Sequence, residues 1–372
     1  MAADKAPAQV PVKLKRFRQC ILHIGTEKTG STSIQAMLAN NRDALRHAGY
    51  FFPETLCQTR DISDGNHRHI AAIAMRDDAF DHDLRGQWGI KDAESLESYR
   101  LSQAKLFDKE IVESAGDCSR LLLSNEHCHS RLLTVQEVAR VKELLEPYCD
   151  EFKIVVYLRP QFELALSQYG MMVLNGFYDI EAMPPLPYPA DYAKRRYTNE
   201  LYFDYQKLLA RWAEVFGAEA IEPRLYAAGG SSRKSPTVDF LEVLGQPEGA
   251  FRQPARENTN ISASAQEFLI KLYSEFATRG YSPWDSWANP IRAVMRRLHP
   301  GSGYKPARGD IRTFQQRFEK SNEAVRAQWF PERERLFDED YALYPEEQVS
   351  ALDEKTTFGL FADVIGAGLK QA

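Results

Sequence analysis

The hydrophobic positions of this chain fall into two kinds of run. Short uninterrupted stretches at 19–24, 120–124 and 153–158 (QCILHI, RLLLS and KIVVYL) read as strands buried on both faces. Between them, apolar residues recur at three- and four-residue spacing. Ile34, Met37, Leu38 and Leu45 mark one helical face, and Val138, Val141, Leu144 and Leu145 a second. Leu201, Tyr205, Leu208, Leu209 and Trp212 mark a third, which Gly217 ends. A further helix is predicted over 93–115, and Thr134 with Glu137 has the spacing of a capping box. Residues 50–53 read as a short extended piece. Residues 221–226 read as another strand, which Pro223 places at a sheet edge or near its own start. The stretch 58–90, rich in Asp, His and Arg, reads as a polar loop-and-helix insertion, and the last third as helical and aromatic-rich.

Strands alternating with amphipathic helices predict an α/β fold, a central parallel sheet with flanking helices. No repeat and no convincing linker divides the chain. Residues 1–17, rich in Ala, Pro and Lys, read as a flexible tail and 18–372 as a single domain. Apolar residues make up 44% of the 372 and charged residues 27%, an ordinary globular profile. The net charge of −5 argues against holding nucleic acid by bulk electrostatics. No apolar run approaches the roughly 20 residues of a membrane span, and the start lacks the apolar stretch of a signal peptide. The five cysteines are odd in number and lack CxxC spacing, so they read as reduced thiols of a cytoplasmic protein.

Two segments carry chemistry. The first is 25–32, GTEKTGST, between a predicted strand and a predicted helix. Backbone N–H groups at such a turn, with the helix dipole, form an anion site, and Lys28, Thr29, Ser31 and Thr32 add side-chain donors. Its glycines have the separation found in the nucleotide-triphosphate loop GxxxxGK[ST]. Ser31, however, stands where the lysine would be, and the lysine lies inward at Lys28. No strand ends in a convincing Mg²⁺-binding Asp, which weakens a kinase reading. The second segment is Arg159, ending the strand at 153–158, with Ser167 eight residues later. An arginine fork and a hydroxyl at the C-terminal end of a parallel strand suit a dianionic phosphate.

Together, HIGTEKTGSTSIQ and VVYLRPQFELALSQY resemble the 5′-phosphosulfate loop and the 3′-phosphate motif of sulfotransferases that use 3′-phosphoadenosine-5′-phosphosulfate (PAPS). The resemblance covers about residues 20 to 265 and leans toward bacterial and carbohydrate-type members. It implies a P-loop NTPase-like sulfotransferase fold with a helical acceptor-side region at about 265–372. Lys28, Thr29, Gly30, Ser31 and Thr32 would hold the 5′-phosphosulfate, and Arg159 and Ser167 the 3′-phosphate. Pro160 departs from the usual acidic or polar residue after the arginine. Arg256 and Asn260 match an Asn-x-Ser segment that closes over the nucleotide, and the stretch 301–308, with Lys305 and Arg308, is a second candidate lid.

The implied reaction moves the sulfonate of PAPS to an acceptor hydroxyl or amine, first of all on a carbohydrate, and releases adenosine 3′,5′-bisphosphate. It needs no metal. Lys28 would stabilise charge on the departing phosphate oxygen. A base must take the acceptor proton. In many members it follows the strand preceding the 3′-phosphate strand, which points here to Glu126, with His127 and His129 as rivals. A carboxylate beside apolar strand ends suits proton transfer near neutrality. The polar cluster 66–69 places His67 and His69 as candidates to line the acceptor cleft or supply the base, with a solvated loop as the plain alternative. Trp284, Trp287, Phe314, Phe318, Trp329 and Phe330 are candidates for stacking on a sugar, though the spacing of Phe314 and Phe318 favours core. The rival functions are a P-loop small-molecule kinase and a non-catalytic nucleotide-binding protein of the same fold. Nothing in the sequence fixes the oligomeric state.

Overall fold

The computed structural model describes residues 15–57, 65–79, 81, 84–184, 200–226, 234–254 and 260–369. Five strands, β1 (Phe17–His23), β2 (Tyr50–Phe51), β3 (Arg120–Ser124), β4 (Cys149–Leu158) and β5 (Ile221–Leu225), form one sheet in the order β2-β3-β1-β4-β5. Every pairing is parallel. The central strands are apolar along the stretches covered on both faces, and their side chains alternate between the two sides. Cys20, Leu22, Leu121, Leu123, Ile154, Val156 and Leu158 pack into one core with the helices Val135–Leu145 and Tyr205–Phe216. Ile21, Leu122, Val155 and Tyr157 pack into the other against Ile34, Met37, Leu38, Phe240 and Leu241. A third apolar cluster joins the end of the helix Gln161–Leu174 to the helices Ala263–Thr278, Ala288–Leu298 and Glu354–Leu369.

The predicted α/β architecture is thus the observed one, with local corrections. Leu45 does not continue the helix of Ile34. That helix, Ser31–Ala39, stops and a separate one, Arg42–His47, follows. Asn41 makes the break: its Nδ2 donates to the carbonyls of Met37 and Arg252, and its Oδ1 accepts the Arg252 amide. Strand β4 starts at Cys149, four residues before the apolar run, because its polar first half pairs with β1 while Asp150 and Glu151 point to solvent. Leu201 lies in a short 3₁₀ turn, and the next helix begins at Tyr205 under an Asp204 cap. Pro223 does sit in an edge strand, and Gly217 does end the preceding helix. Within the stretch 58–90, the helix His69–Ala74 is buried along its whole length, although its neighbours in sequence are polar. Among the described residues no helix is long and apolar enough to cross a membrane.

The Thr134–Glu137 capping box is formed as its spacing predicts. Losing this cap and hollowing a central strand should differ in cost. Thr134→Ala is expected to cost about 1 kcal/mol. Leu122→Ala, at a fully buried position, should cost about 3 kcal/mol or more. Urea denaturation of both variants checks the contrast.

Candidate active site

The loops leaving the C-terminal ends of β1, β3 and β4 meet at one cleft of about 600 Å³. The β1 loop enters it stitched to β4: Thr26 donates through both its amide and its hydroxyl to the Tyr157 carbonyl, each at 3.0 Å. The chain then turns sharply. Lys28 takes a left-handed φ of 63° and Gly30 one of 83°. A Cβ on Gly30 would lie 2.6 Å from the Pro236 ring, so the close approach requires glycine on two counts. Among the described residues, none of the amides from Lys28 to Ser33 has an acceptor. They converge at the start of the helix Ser31–Ala39, where the helix dipole also favours negative charge.

Arg159 reaches the same loop from β4. Its Nη1 donates to the Lys28 carbonyl (2.8 Å), its Nη2 to Glu163 Oε2 (3.0 Å), and its guanidinium lies over the Tyr226 ring. Its buried Nε has no hydrogen-bond partner among the described residues. Pro160, the departure from the expected pattern, starts the helix Gln161–Leu174, and its carbonyl accepts the Leu164 amide. Two turns along, Ser167 joins Gln168, Met171 and Met172 in the cleft wall. Lys28, Gly30, Ser31, Thr32, Arg159 and Ser167 are therefore brought together, while Thr29 is buried behind them with its hydroxyl on the Thr26 carbonyl. No ion pair or hydrogen bond holds the Lys28 ammonium among the described residues. Burial lowers it from its usual range, an effect that Glu27 opposes and Arg159 reinforces.

Glu126 and His127 line the cleft at the end of β3. Glu126 is aimed by two amides: Gln35 Nε2 donates to Oε2 (2.5 Å) and Asn66 Nδ2 to Oε1 (3.0 Å). Neither amide, nor the hub formed by Glu27, is evident from sequence. Gln35 follows Ser31 by four residues and so shares its helical face, which is the one signal that could have shown it. Glu27 is buried and accepts from Ser130 Oγ (2.5 Å), Arg131 Nη1 (2.7 Å) and the Tyr202 hydroxyl (3.0 Å), with His127 Nδ1 at 3.3 Å. Burial opposes its ionisation, but the Arg131 guanidinium, with His127 and Ser130, holds the carboxyl well below the usual carboxylate range.

The remaining histidines are not in the cleft. His129 is buried; its Nδ1 accepts the Glu27 amide and its Nε2 donates to the Tyr202 carbonyl. His67 is fully buried, its Nδ1 accepting the Ser124 amide and its Nε2 donating to the Pro53 carbonyl. His69 bonds the Tyr99 hydroxyl and stacks on Trp88. These rings satisfy backbone and core, and within the 66–69 cluster it is Arg68 that lines the cleft. Asn260 is likewise turned elsewhere, its Oδ1 accepting from Gln266 and from the Ile261 amide. Arg256 lies outside the described residues. Lys305 lines a separate groove and Arg308 pairs with Glu346. Phe314 and Phe318 are core, as their spacing suggests.

No protein-family model matches the chain, and no curated protein sequence matches it. Two solved structures are similar to it. One is the crystal structure of a sulfotransferase from Alicyclobacillus acidocaldarius, at 14% identity and a TM-score of 0.40, covering 64% of this chain and 86% of that one. The other is the sulfotransferase domain from the Synechococcus PCC 7002 olefin synthase, at 10% identity and a TM-score of 0.35, covering 82% of this chain and 95% of that one.

The buried rings have a measurable consequence. Burial lowers His67 to about 3, whereas an unfolded imidazole titrates near 6.5. Between those values the unfolded chain binds a proton that the folded chain refuses. The stability tied to His67 is therefore complete above about pH 6.5 and is lost as pH falls, at about 1.4 kcal/mol per pH unit. His67→Gln is expected to make the fall in stability between about pH 6 and pH 4 shallower by one proton, read from urea denaturation at a series of pH values.

Proposed function

We propose that this protein is a PAPS-dependent sulfotransferase acting on an acceptor hydroxyl, first of all on a carbohydrate. One observation carries the reading: amides without acceptors among the described residues, a Lys28 ammonium with no partner among them, and Arg159 with Ser167 meet at one cleft. The residues present fit the nucleotide. The amides of 28–33, with Lys28 and the hydroxyls of Ser31 and Thr32, would hold the 5′-phosphosulfate. Arg159, whose Nε has no partner among the described residues, and Ser167 would hold the 3′-phosphate. When bound, PAPS supplies the sulfonate and leaves as adenosine 3′,5′-bisphosphate.

Glu126 takes the proton from the acceptor hydroxyl as the oxygen attacks sulfur, and its two amide partners keep the carboxylate aimed. The bond from sulfur to the phosphate oxygen breaks, and Lys28 stabilises the electron pair left on that oxygen. His127 is the rival base in the same wall. The cleft is also lined by Arg68, Asn175 and Phe177, a mixture of polar groups and an aromatic ring that suits a sugar.

Calorimetric titration with adenosine 3′,5′-bisphosphate is the test, with ADP as control. Binding should exceed that of ADP, and Lys28→Ala and Arg159→Ala should each weaken it about tenfold or more. Equal or better binding of ADP with Mg²⁺ would overturn the proposal in favour of a kinase. Glu126→Gln should keep nucleotide affinity and lose transfer, whereas a non-catalytic protein would show no transfer in either form.

A further inference from the structure

His23 is a fully buried titratable group for which the proposed chemistry has no use. It ends β1, and its Nδ1 lies 2.8 Å from the hydroxyl of Ser124, which ends β3. Ser124 Oγ also takes a bond from Gln35 Nε2 (3.3 Å), the nitrogen that donates to Glu126 Oε2. These side chains form one polar line from the interior to the cleft, and their protons can be followed along it. As a base, Glu126 is a carboxylate and only accepts, so Gln35 turns its NH₂ toward it. The hydrogens of that NH₂ then go to Glu126 and to Ser124. Ser124 Oγ accepts, and its single proton goes to His23 Nδ1, the other group bonded to that oxygen among the described residues. His23 therefore carries its own proton on Nε2, which has no hydrogen-bond partner among the described residues. The ring packs against Tyr157 and Phe240. Burial lowers it to about 3, so it is neutral near pH 7 and Nδ1 remains an acceptor.

We infer that His23 is a positioning residue, one that fixes, through Ser124, which end of the Gln35 amide faces the base. The inference rests on the sulfotransferase reading with Glu126 as base. The need for it arises once Glu126 has taken the acceptor proton. A carboxylate holds an NH₂ in place by itself, but a carboxylic acid also donates. If the amide then made a half turn, its carbonyl would accept the new proton and retain it. With His23 in place, the turned carbonyl would face a Ser124 oxygen whose proton is already engaged. Swinging that proton to Gln35 would leave Nδ1 a buried acceptor without a partner, which is costly. The amide thus keeps its NH₂ toward Glu126 in both states of the carboxyl, and the proton passes on to solvent through the cleft. Polar lines of this kind gain from being satisfied at every member, and loss at one end is felt at the other.

Two substitutions separate polarity from packing. His23→Asn can place an oxygen near the position of Nδ1 but leaves a void. His23→Leu fills more of the space and accepts nothing. Transfer from PAPS is read as released adenosine 3′,5′-bisphosphate, with methyl glycosides and water as acceptors. His23→Asn should keep kcat within about threefold of wild type, whereas His23→Leu should lose about tenfold. Affinity for adenosine 3′,5′-bisphosphate should stay within about twofold in both. A Leu variant as active as the Asn variant, or affinity that falls in step with kcat, would overturn the inference. If neither variant folds, nitrogen NMR of the wild type decides. His23 should be protonated at Nε2 with Nδ1 bare, and a proton on Nδ1 would sink the assignment. Two controls keep the possible failures apart. A Glu126→Gln variant that retains transfer would remove the base, and with it this inference, while leaving the nucleotide site standing. Wild type that neither binds adenosine 3′,5′-bisphosphate nor releases it from PAPS would overturn the sulfotransferase reading itself, and this inference with it.

Discussion

Amides that lack an acceptor are the constraint around which this molecule is arranged. From Lys28 to Ser33 the turn after β1 presents a row of amides with no acceptor among the described residues, and where such a group is buried, as at Thr29 and Ser31, leaving it unpaired costs about 1–3 kcal/mol. Such a turn persists only where its surroundings hold it. The strand order supplies the means, because β1 lies between β3 and β4. From β4, the Tyr157 carbonyl fixes Thr26 and Arg159 holds the Lys28 carbonyl. From the segment after β3, His129, Ser130 and Arg131 fix Glu27 through both its backbone and its carboxylate. In the proposed reading, an anion would be the acceptor that the turn lacks.

The sheet and the two segments that meet at the cleft were legible in the sequence because both are local. A buried parallel strand is a short apolar run, and a strand followed by GxxxxG and a helix is a contiguous pattern. The rest of the site is not local. Glu126 could be placed from its position after β3, but Gln35, which aims it, lies 91 residues away. Tyr202 stands 175 residues from the Glu27 it supports. His67 and His69 were misjudged for a related reason. Polar residues in a polar stretch look solvated, and only the folded chain reveals that the Ser124 amide needs an acceptor and the Pro53 carbonyl a donor, both met by His67.

Packing remote from the cleft also sets its wall. The helix His69–Ala74 is short and buried, so its final carbonyls cannot turn to water. Arg85, Arg100 and Arg140 take them instead, and all three donate to the Met75 carbonyl. Arg85 also holds the carbonyls of Ala72, Arg76 and Ala79. With that end pinned, the opposite end presents Arg68 to the cleft and Asn66 to Glu126. Three arginines drawn from distant points of the chain thus serve as a helix terminator, and their effect reaches the cleft wall through a short buried helix.

The bond from Arg159 to the Lys28 carbonyl ties together the two regions that would grip opposite ends of a nucleotide. Ligand contacts made at one region therefore steady the other, and their free energies do not simply add. A molecule that fills only one half loses its own missing contacts and leaves the other half less well ordered. The two halves act on an intact nucleotide as a chelate does, each holding the ligand at high local concentration for its neighbour. In the proposed reading, fragments would thereby be discriminated against more strongly than their lost bonds alone require, and a spent nucleotide that keeps both ends would leave slowly.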